Sequence, residues 1–331
     1  MLNSFSVLDT PPVPVCAFVT DDAAAIINYA ADGAECGLGS ALVTLVEIRG
    51  GAARALGAQM AVRGDGSYCG YVSGGCTEAA VAAEAIAAII KRTDRYLRLG
   101  EGSPFFDISL PCGGGITLAI HVVRDVRPLR QVLAALEGRR RIALNYVPGT
   151  QTFTAVKTPT GAISSWSDTS FIRVYRPNLR LILCGRGIEL EATTRVAMAS
   201  EFEVFAFDQT SRDFDASMMD QETAVAVLFH DLDQELPWLE AGLRRKPFYL
   251  GALGSKRTHE RRCQALRDLG YSPAQIDRIK APIGLFGPTR DANALALSVV
   301  AEVAQAFFHV TKLNVPQADG DVAKGSDSKP I

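Results

Sequence analysis

The chain has 331 residues, a formal net charge of −2 and 48% hydrophobic residues. This length predicts about two domains, and the near-neutral charge argues against a nucleic-acid partner, which would require a basic face. The first residues have neither a basic stretch nor a long apolar stretch, so a signal peptide is not expected there. The longest apolar run, Ala79–Ile90, is interrupted by Glu84 and is too short for a membrane span. The seven cysteines are irregularly spaced without a CxxC pair, which favours a reducing cytoplasm over disulfides or structural zinc.

The first half of the chain is typical of an α+β domain. Residues 1–20 carry three prolines and are expected to form an extended arm, and the domain itself is assigned to residues 21–176. Helices are expected from Asp21 or Asp22 to Ala34, over Ala79–Ile90 and over Leu129–Leu136. Strands are expected over Ala41–Ile48, Ala58–Arg63, Ser67–Val72, Arg95–Leu99, Phe105–Leu110, Ile116–Val123, Ile142–Tyr146, Phe153–Val156 and Phe171–Val174.

The segment Gly57–Glu78, GAQMAVRGDGSYCGYVSGGCTE, is the most informative part of this half. Asp65-Gly66 predicts a primed hairpin turn between two short strands. Gly74 and Gly75 then lead into a helix, and such a helix start leaves unpaired N–H groups that bind anions. The helix dipole there lowers the pKa of a thiol such as Cys76.

A second glycine-rich turn, PCGGG, places Cys112 before Gly113 and Gly114. A single cysteine in such a turn is best explained by tight packing of a small residue. Two matching turns in one domain favour thiolates that hold a soft metal or carry sulfur. Glu78 is a candidate general base, but an acidic residue in the first turn also stabilises a helix, and this structural role explains the presence of Glu78 equally well.

The second half alternates strands and helices, which predicts a Rossmann-like, doubly wound parallel sheet over residues 177–315. Residues 316–331 have a composition typical of a disordered tail. Strands are expected over Leu179–Leu183, Phe202–Phe207, Ala224–Phe229 and Pro247–Leu250. Helices are expected over about Glu189–Ser200, Leu232–Leu243, Lys256–Leu269 and Asp291–Phe308.

Two strand-to-helix turns in this half are candidate nucleotide sites. Gly185 and Gly187 open a dinucleotide fingerprint, and Asp208 ends the next strand, where an acid can bond a ribose hydroxyl. The third small residue is missing and Glu189 opposes a pyrophosphate, so a Rossmann-like domain that does not bind NAD at this turn explains the pattern at least as well. The second turn runs through Gly254, Ser255, Lys256 and Arg257, where Ser255 is a good N-cap and the cations favour an anion.

The order of these motifs resembles the XdhC/CoxI family. GAQMAVRGDGSYCGYVSGGCTE, PCGGG, LILCGRG, VLFHDLD, YLGALGSKRT and APIGL…ALALSVVAEV match its blocks over about residues 22–310. The resemblance implies an accessory protein, generally not itself a catalyst and often a homodimer. Such proteins bind the molybdenum cofactor, protect it during sulfuration by a cysteine desulfurase, and deliver it to a molybdenum hydroxylase apoenzyme such as xanthine dehydrogenase.

Three positions in the Rossmann half depart from the family pattern. Ile188 stands where the family has His, Thr210 where it tends to have Arg, and Phe286 where it has Asp in a Gly-Leu-Asp block. These differences leave open whether the Rossmann turns recognise a nucleotide, and whether the cofactor is plain molybdopterin or a nucleotide-extended form.

The leading hypothesis is therefore a cytoplasmic molybdenum-cofactor chaperone. Its expected cofactor-binding residues are Gly74, Gly75, Cys76, Glu78, Cys112, Gly113, Gly114, Gly185, Gly187, Asp208, Gly254, Ser255, Lys256 and Arg257, with Cys76 or Cys112 contacting the molybdenum or its sulfur. The alternatives are an NAD(P)-dependent oxidoreductase, based on Gly185, Gly187 and Asp208, and a cofactor-free scaffold that docks a desulfurase to its client. Neither a nucleic-acid nor a membrane partner is expected.

Overall fold

A computed structural model of the chain describes residues 11–75, 77–101, 113–159, 161–208 and 214–312. The chain forms two compact units that divide after Pro177. The expected strand Phe105–Leu110, the turn at Cys112, Thr210 and the tail 316–331 lie outside the described residues.

The described residues of the first unit form two sheets and three helices. Its strands are β1 Val15–Phe18, β2 Ser40–Arg49, β3 Gln59–Arg63, β4 Ser67–Gly70, β5 Arg95–Gly100, β6 Gly115–Val122, β7 Ile142–Val147, β8 Thr152–Val156, β9 Ser165–Ser167 and β10 Ser170–Tyr175. Its helices are α1 Ala23–Glu35, α2 Glu78–Lys91 and α3 Arg127–Glu137. The larger sheet has the order β1-β4-β3-β2-β6-β5 and the smaller one β8-β7-β10-β9.

The larger sheet is covered on both faces, which explains why its central strands β2, β3 and β6 are mostly apolar and are buried over most of their length. On one face Val43, Leu45 and Met60 pack against Val81 and Ile86 of α2. On the other face Leu42 and Ala61 pack against α1, α3 and the smaller sheet. Alternate residues of one strand thus serve two separate cores, as the period of two in a strand requires.

Part of the predicted extended N-terminal arm forms a strand. β1 pairs in parallel with β4 and forms an edge of the larger sheet. β9 is a second strand that the sequence did not predict, since Ser165 and Ser167 carry no strand propensity. Elsewhere in this unit the expected and observed elements that can be compared differ by at most two residues at their ends.

The second unit is a Rossmann-like domain, as predicted. Its strands are β11 Arg180–Gly185, β12 Glu203–Phe207, β13 Thr223–Leu228, β14 Tyr249–Ala252 and β15 Ile279–Lys280. Its helices are α4 Gly187–Ala199, α5 Leu232–Arg245, α6 Lys256–Asp268, α7 Pro273–Ile276 and α8 Ala292–Lys312, with a short 3-10 turn at Ala216–Met218. The sheet is parallel, with the order β12-β11-β13-β14-β15.

This strand order reverses direction between β11 and β13. In open parallel sheets, ligands bind outside the carboxyl ends of the strands at such a switch point. The ends of β11 and β13 carry Gly185 and Leu228, and a Cβ placed on Gly185 would lie 2.9 Å from the Leu228 Cβ. Gly185 therefore serves close packing of the two strands at this point.

Helix α8 is the one helix of the described residues whose length and composition would allow it to cross a membrane. Its Val299 and Val303 are buried in the core that covers one face of the parallel sheet. This packing accounts for the apolar residues of its buried face, whereas Leu297 and Phe308 are more than half exposed. The sequence predicts this helix over Asp291–Phe308, but Glu302 and Gln305 interrupt its apolar residues, so it does not form a continuous apolar run.

Candidate functional site

The hairpin that begins the candidate site has a different turn from the predicted one. A primed turn centred on Asp65 and Gly66 would require positive φ at Asp65, whereas only Gly66 has it, at +92°. The Gly66 N–H donates to the Arg63 carbonyl at 3.0 Å, and Asp65 accepts from the Ser67 N–H at 2.9 Å. The turn is therefore centred one residue earlier and ends in a left-handed glycine.

The loop between β4 and α2 folds around the carboxylate of Glu78. Five backbone N–H groups donate to it at 2.9–3.2 Å, and the Ser73 hydroxyl adds bonds of 2.9 and 2.8 Å. The five N–H groups belong to Val72, Ser73, Gly74, Gly75 and Thr77. The loop is thus an anion-binding nest whose occupant is the first residue of the following helix.

Glu78 is only 2% exposed. Burial raises the pKa of Glu78, but the hydrogen bonds from Ser73, Val72 and its own backbone outweigh burial and lower it overall. The side chain is therefore an ionised carboxylate with its oxygens already engaged. This arrangement favours the structural explanation of Glu78 over that of a general base, which would need an accessible lone pair.

Gly74 and Gly75 remain candidates for cofactor binding, but the Glu78 carboxylate already occupies their N–H groups. Their N–H groups bond Glu78 at 3.2 and 3.0 Å, so a phosphate could take them only by displacing this carboxylate. Gly75 has φ of +109° and open space around its missing Cβ. Cys76 lies outside the described residues, and its role stays a prediction.

The second glycine turn lies against the same loop as the first. A Cβ on Gly114 would lie 2.1 Å from the Gly51 carbonyl oxygen, so backbone meets backbone there. A Cβ on Gly74 would lie 3.2 Å from the Ala53 Cβ. The loop at residues 50–53 is therefore flanked by both turns, which brings the two predicted glycine motifs into one region of the first unit.

Gly113 has φ of +69°, and none of the described residues lies within 4 Å of a Cβ placed on it. Gly114, by contrast, is required by the close backbone contact alone. Cys112 lies outside the described residues, and the predicted molybdenum or sulfur contacts of Cys76 and Cys112 stay predictions. Among the described ranges, no group of three or more His, Cys, Asp and Glu could hold a metal ion.

Cys69 of β4 is fully buried in the core that also contains residues of α1 and β3. Burial raises its pKa to about 12, so this thiol stays protonated and unreactive. It therefore differs from a thiol in an open turn and is not a candidate ligand.

In the second unit, the candidate nucleotide residues share the carboxyl edge of the parallel sheet. Gly187 has φ of +67° and starts α4, and Asp208 follows β12, the neighbour of β11. Glu189 in the first turn of α4 lies 3.5 Å from the Nε2 of His230, which follows β13. A carboxylate thus stands at the switch point where a pyrophosphate would bind, and it disfavours that ligand electrostatically.

The other strand-to-helix turn in this unit contains a true N-cap, as predicted. Ser255 accepts from the Thr258 N–H at 3.2 Å, and Gly254 has φ of +131°. Lys256 and Arg257 are exposed in the first turn of α6. Gly185, Gly187, Asp208 and Ser255 are therefore at one sheet edge, although β13 separates β11 from β14.

The structure contains two buried polar clusters that the sequence did not predict. Asp94 accepts from His121 at 2.7 Å, Tyr146 at 3.0 Å and Arg124 at 2.7 Å. Burial raises the pKa of Asp94, but these bonds lower it overall, with His121 the strongest. In the second unit Arg262 and Glu235, 0% and 2% exposed, form a bidentate pair of 2.7 and 2.8 Å. No local motif marks such long-range pairs.

Comparison with known proteins gives family matches in both units. Residues 35–100 match the XdhC and CoxI family, and residues 181–303 match the XdhC Rossmann domain. The molybdenum cofactor insertion chaperone PaoD of Escherichia coli is 50% identical over 296 residues, which cover 89% of this chain and 92% of PaoD.

Two further relatives are more distant. An uncharacterised protein of Escherichia coli, YqeB, is 26% identical over 80% of this chain but only 43% of its own length. A crystal structure described as a xanthine dehydrogenase from Bacillus halodurans superimposes with a TM-score of 0.66 and 18% identity, covering 88% of this chain and 98% of that one. The last likeness establishes the fold alone.

Proposed function

The chain belongs to the XdhC and CoxI family, and we propose on that premise that it binds the molybdenum cofactor and supports its insertion into a molybdenum hydroxylase. The observation that carries this proposal is the 50% identity to a molybdenum cofactor insertion chaperone over nearly the full length of both chains. A likeness that extends through both domains supports a shared task more strongly than a match to a single domain would.

The first unit supports the proposal through the loop at residues 50–53, which both glycine turns flank. Among the residues that the structure describes, none lies within 4 Å of a Cβ on Gly75 or Gly113, and a glycine backbone without such neighbours allows a bulky ligand to approach closely. We place the cargo in this region, with Cys76 and Cys112 as its candidate thiol ligands. The carboxyl edge of the Rossmann sheet is a separate and less favoured candidate for nucleotide binding, because Glu189 opposes a pyrophosphate there.

The finer steps form part of the same proposal. The chain would shield the cofactor while a cysteine desulfurase exchanges an oxygen ligand for sulfur, and would act as a cytoplasmic homodimer that is not itself an enzyme. Affinity capture of the tagged protein from cells that express a xanthine dehydrogenase-type client tests these partners. Size-exclusion chromatography with light scattering tests the dimer.

The decisive experiment is direct cofactor binding. Molybdenum cofactor released from a donor enzyme is mixed with the purified protein, free ligand is removed by gel filtration, and retained pterin is oxidised and measured by fluorescence. We expect about one equivalent per chain for the parent, with loss in Cys76→Ala or Cys112→Ala. No retention by the parent rejects the proposed function, whereas equal retention by both variants rejects the thiol roles only.

A reconstitution assay then separates binding from delivery. The loaded chain is added to a cofactor-free molybdenum hydroxylase, and the recovered activity is compared with that from free cofactor. Cys69→Ala is the matched control, because Cys69 is a buried thiol in the same unit whose removal leaves the glycine turns intact. Activation by the parent at the rate of free cofactor would argue against a role in insertion.

A further inference from the structure

The guanidinium of Arg49, at the end of β2, binds groups of its own chain with every one of its N–H groups. Its Nη1 atom donates to the Glu47 carboxylate at 2.6 Å and to the Thr117 hydroxyl at 2.8 Å. Its Nε and Nη2 atoms donate to the Glu101 carbonyl at 3.2 and 3.1 Å, and Nη2 also donates to the Ile116 carbonyl at 3.4 Å. These contacts, called the Arg49 clamp below, use all the donors of a guanidinium.

A β-bulge in β2 directs Arg49 to these partners. Leu45 is buried in the core that also contains residues of α2, and regular alternation along the strand would place Arg49 on the same face. The pairing of β2 with β6 shifts register between Leu45 and Glu47. After this shift Ile48 packs against the core and Arg49 lies opposite Gly115. The bulge therefore turns the Arg49 side chain to the other face of the sheet.

Gly115, the last glycine of the PCGGG motif, makes room for this side chain. β6 lies between β2 and β5, so Arg49 must cross β6 to reach Glu101, which follows β5. A Cβ on Gly115 would lie 2.4 Å from the Glu101 carbonyl oxygen, 2.9 Å from the Arg49 Nη2 atom and 3.1 Å from its Nε atom. A side chain at position 115 would therefore push the guanidinium away from this carbonyl.

The carboxylate of Glu47 holds the guanidinium in the orientation that reaches β5. The Thr117 hydroxyl donates to Glu47 at 2.5 Å. This hydrogen bond lowers the pKa of Glu47 and, with the charge of Arg49, outweighs the rise that burial causes. The Arg49–Glu47 pair is therefore ionised, and hydrogen bonds between charged groups are stronger than those between neutral groups.

The Arg49 clamp lies at the base of the second glycine turn. Glu101 and the start of β6 precede and follow this turn in the chain, and Arg49 binds both. The Glu101 N–H also donates to the Gly114 carbonyl at 3.2 Å. Gly51, whose backbone leaves no room for a Cβ on Gly114, follows Arg49 by two residues. One side chain thus joins the second glycine turn to the loop at residues 50–53, which the first glycine turn also flanks.

From these contacts we infer that Arg49 is a positioning residue, which holds the second glycine turn against the loop at residues 50–53. It acts through the backbone that it binds, since its donors are all engaged within the chain. Its importance for the molybdenum cofactor rests on the proposed function, because the clamp would fix the separation of the two turns between which the cargo is placed. The clamp itself rests only on the contacts of Arg49.

Hydrogen exchange of the full-length, cofactor-free chain tests the clamp directly. In Arg49→Ala, amides in peptides that cover residues 97–101 and 113–118 should exchange at least about tenfold faster than in the parent, because hydrogen bonds from a charged donor stabilise local structure by that factor or more. Gly115→Ala should have the same effect by displacing the guanidinium. The double variant should exchange no faster than Arg49→Ala, since both changes remove one interaction.

Arg130→Ala is the matched control for these variants. Arg130 also joins separate elements of the first unit, because it lies on α3 and pairs with Asp32 and Glu35 of α1. None of these residues belongs to a glycine turn, so exchange over residues 97–101 and 113–118 should stay at the parent rate. Added ethylguanidinium, which replaces the lost part of the side chain, should slow exchange in Arg49→Ala, whereas ethylammonium lacks the planar fork and should not.

Cofactor retention in gel filtration then tests whether the clamp serves the cargo. We expect the affinity for molybdenum cofactor to fall about tenfold in Arg49→Ala, in proportion to the loosened turn. The affinity should recover with ethylguanidinium and stay at the parent value in Arg130→Ala. Equal affinity of the parent and Arg49→Ala would reject the positioning role.

Three exchange results would overturn the clamp: an unchanged rate in Arg49→Ala, an equal increase over the whole first unit, or the same local increase in Arg130→Ala. Failure of the proposed function has a different signature. The parent chain would then retain no cofactor, whereas the local increase in exchange in Arg49→Ala and Gly115→Ala would still establish that Arg49 holds the turn.

Discussion

Replacement of Glu78 by Gln is the sharpest test of how the loop before α2 is held. The carboxamide of Gln keeps one acceptor oxygen, and its NH₂ group takes the place of the other carboxylate oxygen. When the NH₂ group replaces Oε2, the backbone N–H groups of Gly75 and Thr77 point at another donor in place of an acceptor. Each buried donor left unpaired costs about 1–3 kcal/mol, so we expect a loss of about 3 kcal/mol in the free energy of unfolding.

The two tryptophans of the chain allow this loss to be measured for the first unit alone. Trp166 belongs to the first unit and Trp238 to the second. In a Trp238→Phe background, fluorescence during urea unfolding therefore reports the first unit. A loss of 3 kcal/mol corresponds to a decrease in Tm of about 6–12 °C for a unit of this size.

Glu84→Gln is the matched control, since it makes the same chemical change on the same helix. Glu84 is half exposed and pairs with Arg95 at 2.6 Å, and such surface pairs contribute at most about 1 kcal/mol. Equal urea midpoints for Glu78→Gln and Glu84→Gln would refute the reasoning. The parent should also lose stability as pH falls through the lowered pKa of Glu78, and this component should be missing in Glu78→Gln.

Three further predictions concern other parts of the fold. The pKa of Asp94 is lowered in the folded state, so the ionised carboxylate stabilises the fold above its unfolded pKa of about 3.9, and this stabilisation is lost as the pH falls through the folded pKa. The urea midpoint of Asp94→Asn should therefore change less between pH 3 and pH 6 than the urea midpoint of the parent. Arg262→Met leaves the buried Glu235 carboxylate unpaired and should lower the free energy of unfolding by about 3–5 kcal/mol. A second change in the same chain, Glu235→Gln, should restore most of this loss. Urea unfolding followed by Trp238 fluorescence in a Trp166→Phe background measures both effects. Gly70→Ala should lower the Tm more than Gly75→Ala, because both have positive φ but only at Gly70 would a Cβ meet backbone, 2.6 Å from the Gln59 carbonyl oxygen; equal Tm values would contradict this steric argument.

The order and type of most elements could be predicted because their signals are local. The apolar run of β11, the helix period of α4 and the N-caps Asp22 and Ser255 depend on residues within one or two turns. The alternation of strands and helices after Pro177 then restricts the topology to a doubly wound sheet, because parallel strands require crossovers. This reasoning extended to the carboxyl edge where Gly185 and Asp208 lie.

The sequence correctly predicted an anion-binding turn at the candidate site but did not identify the anion. Gly74 and Gly75 do form an anion-binding turn, yet the sequence cannot tell whether the anion is a ligand or a side chain. Glu78 reaches back into the turn only because β4 and α2 are packed against the same core. The sequence also placed the positive φ at the hairpin correctly on Gly66 but not the turn type, which depends on strand register.

Contacts between distant residues were decided by the tertiary structure alone. The Arg262–Glu235 pair spans 27 residues, and the Trp166–Val46 hydrogen bond spans 120. Neither has a spacing that a helix or strand period would reveal, since packing of separate elements sets which side chains meet. The sequence by itself thus determined most of the elements and the two domain types, whereas register, bulges and burial decided which polar groups contact one another.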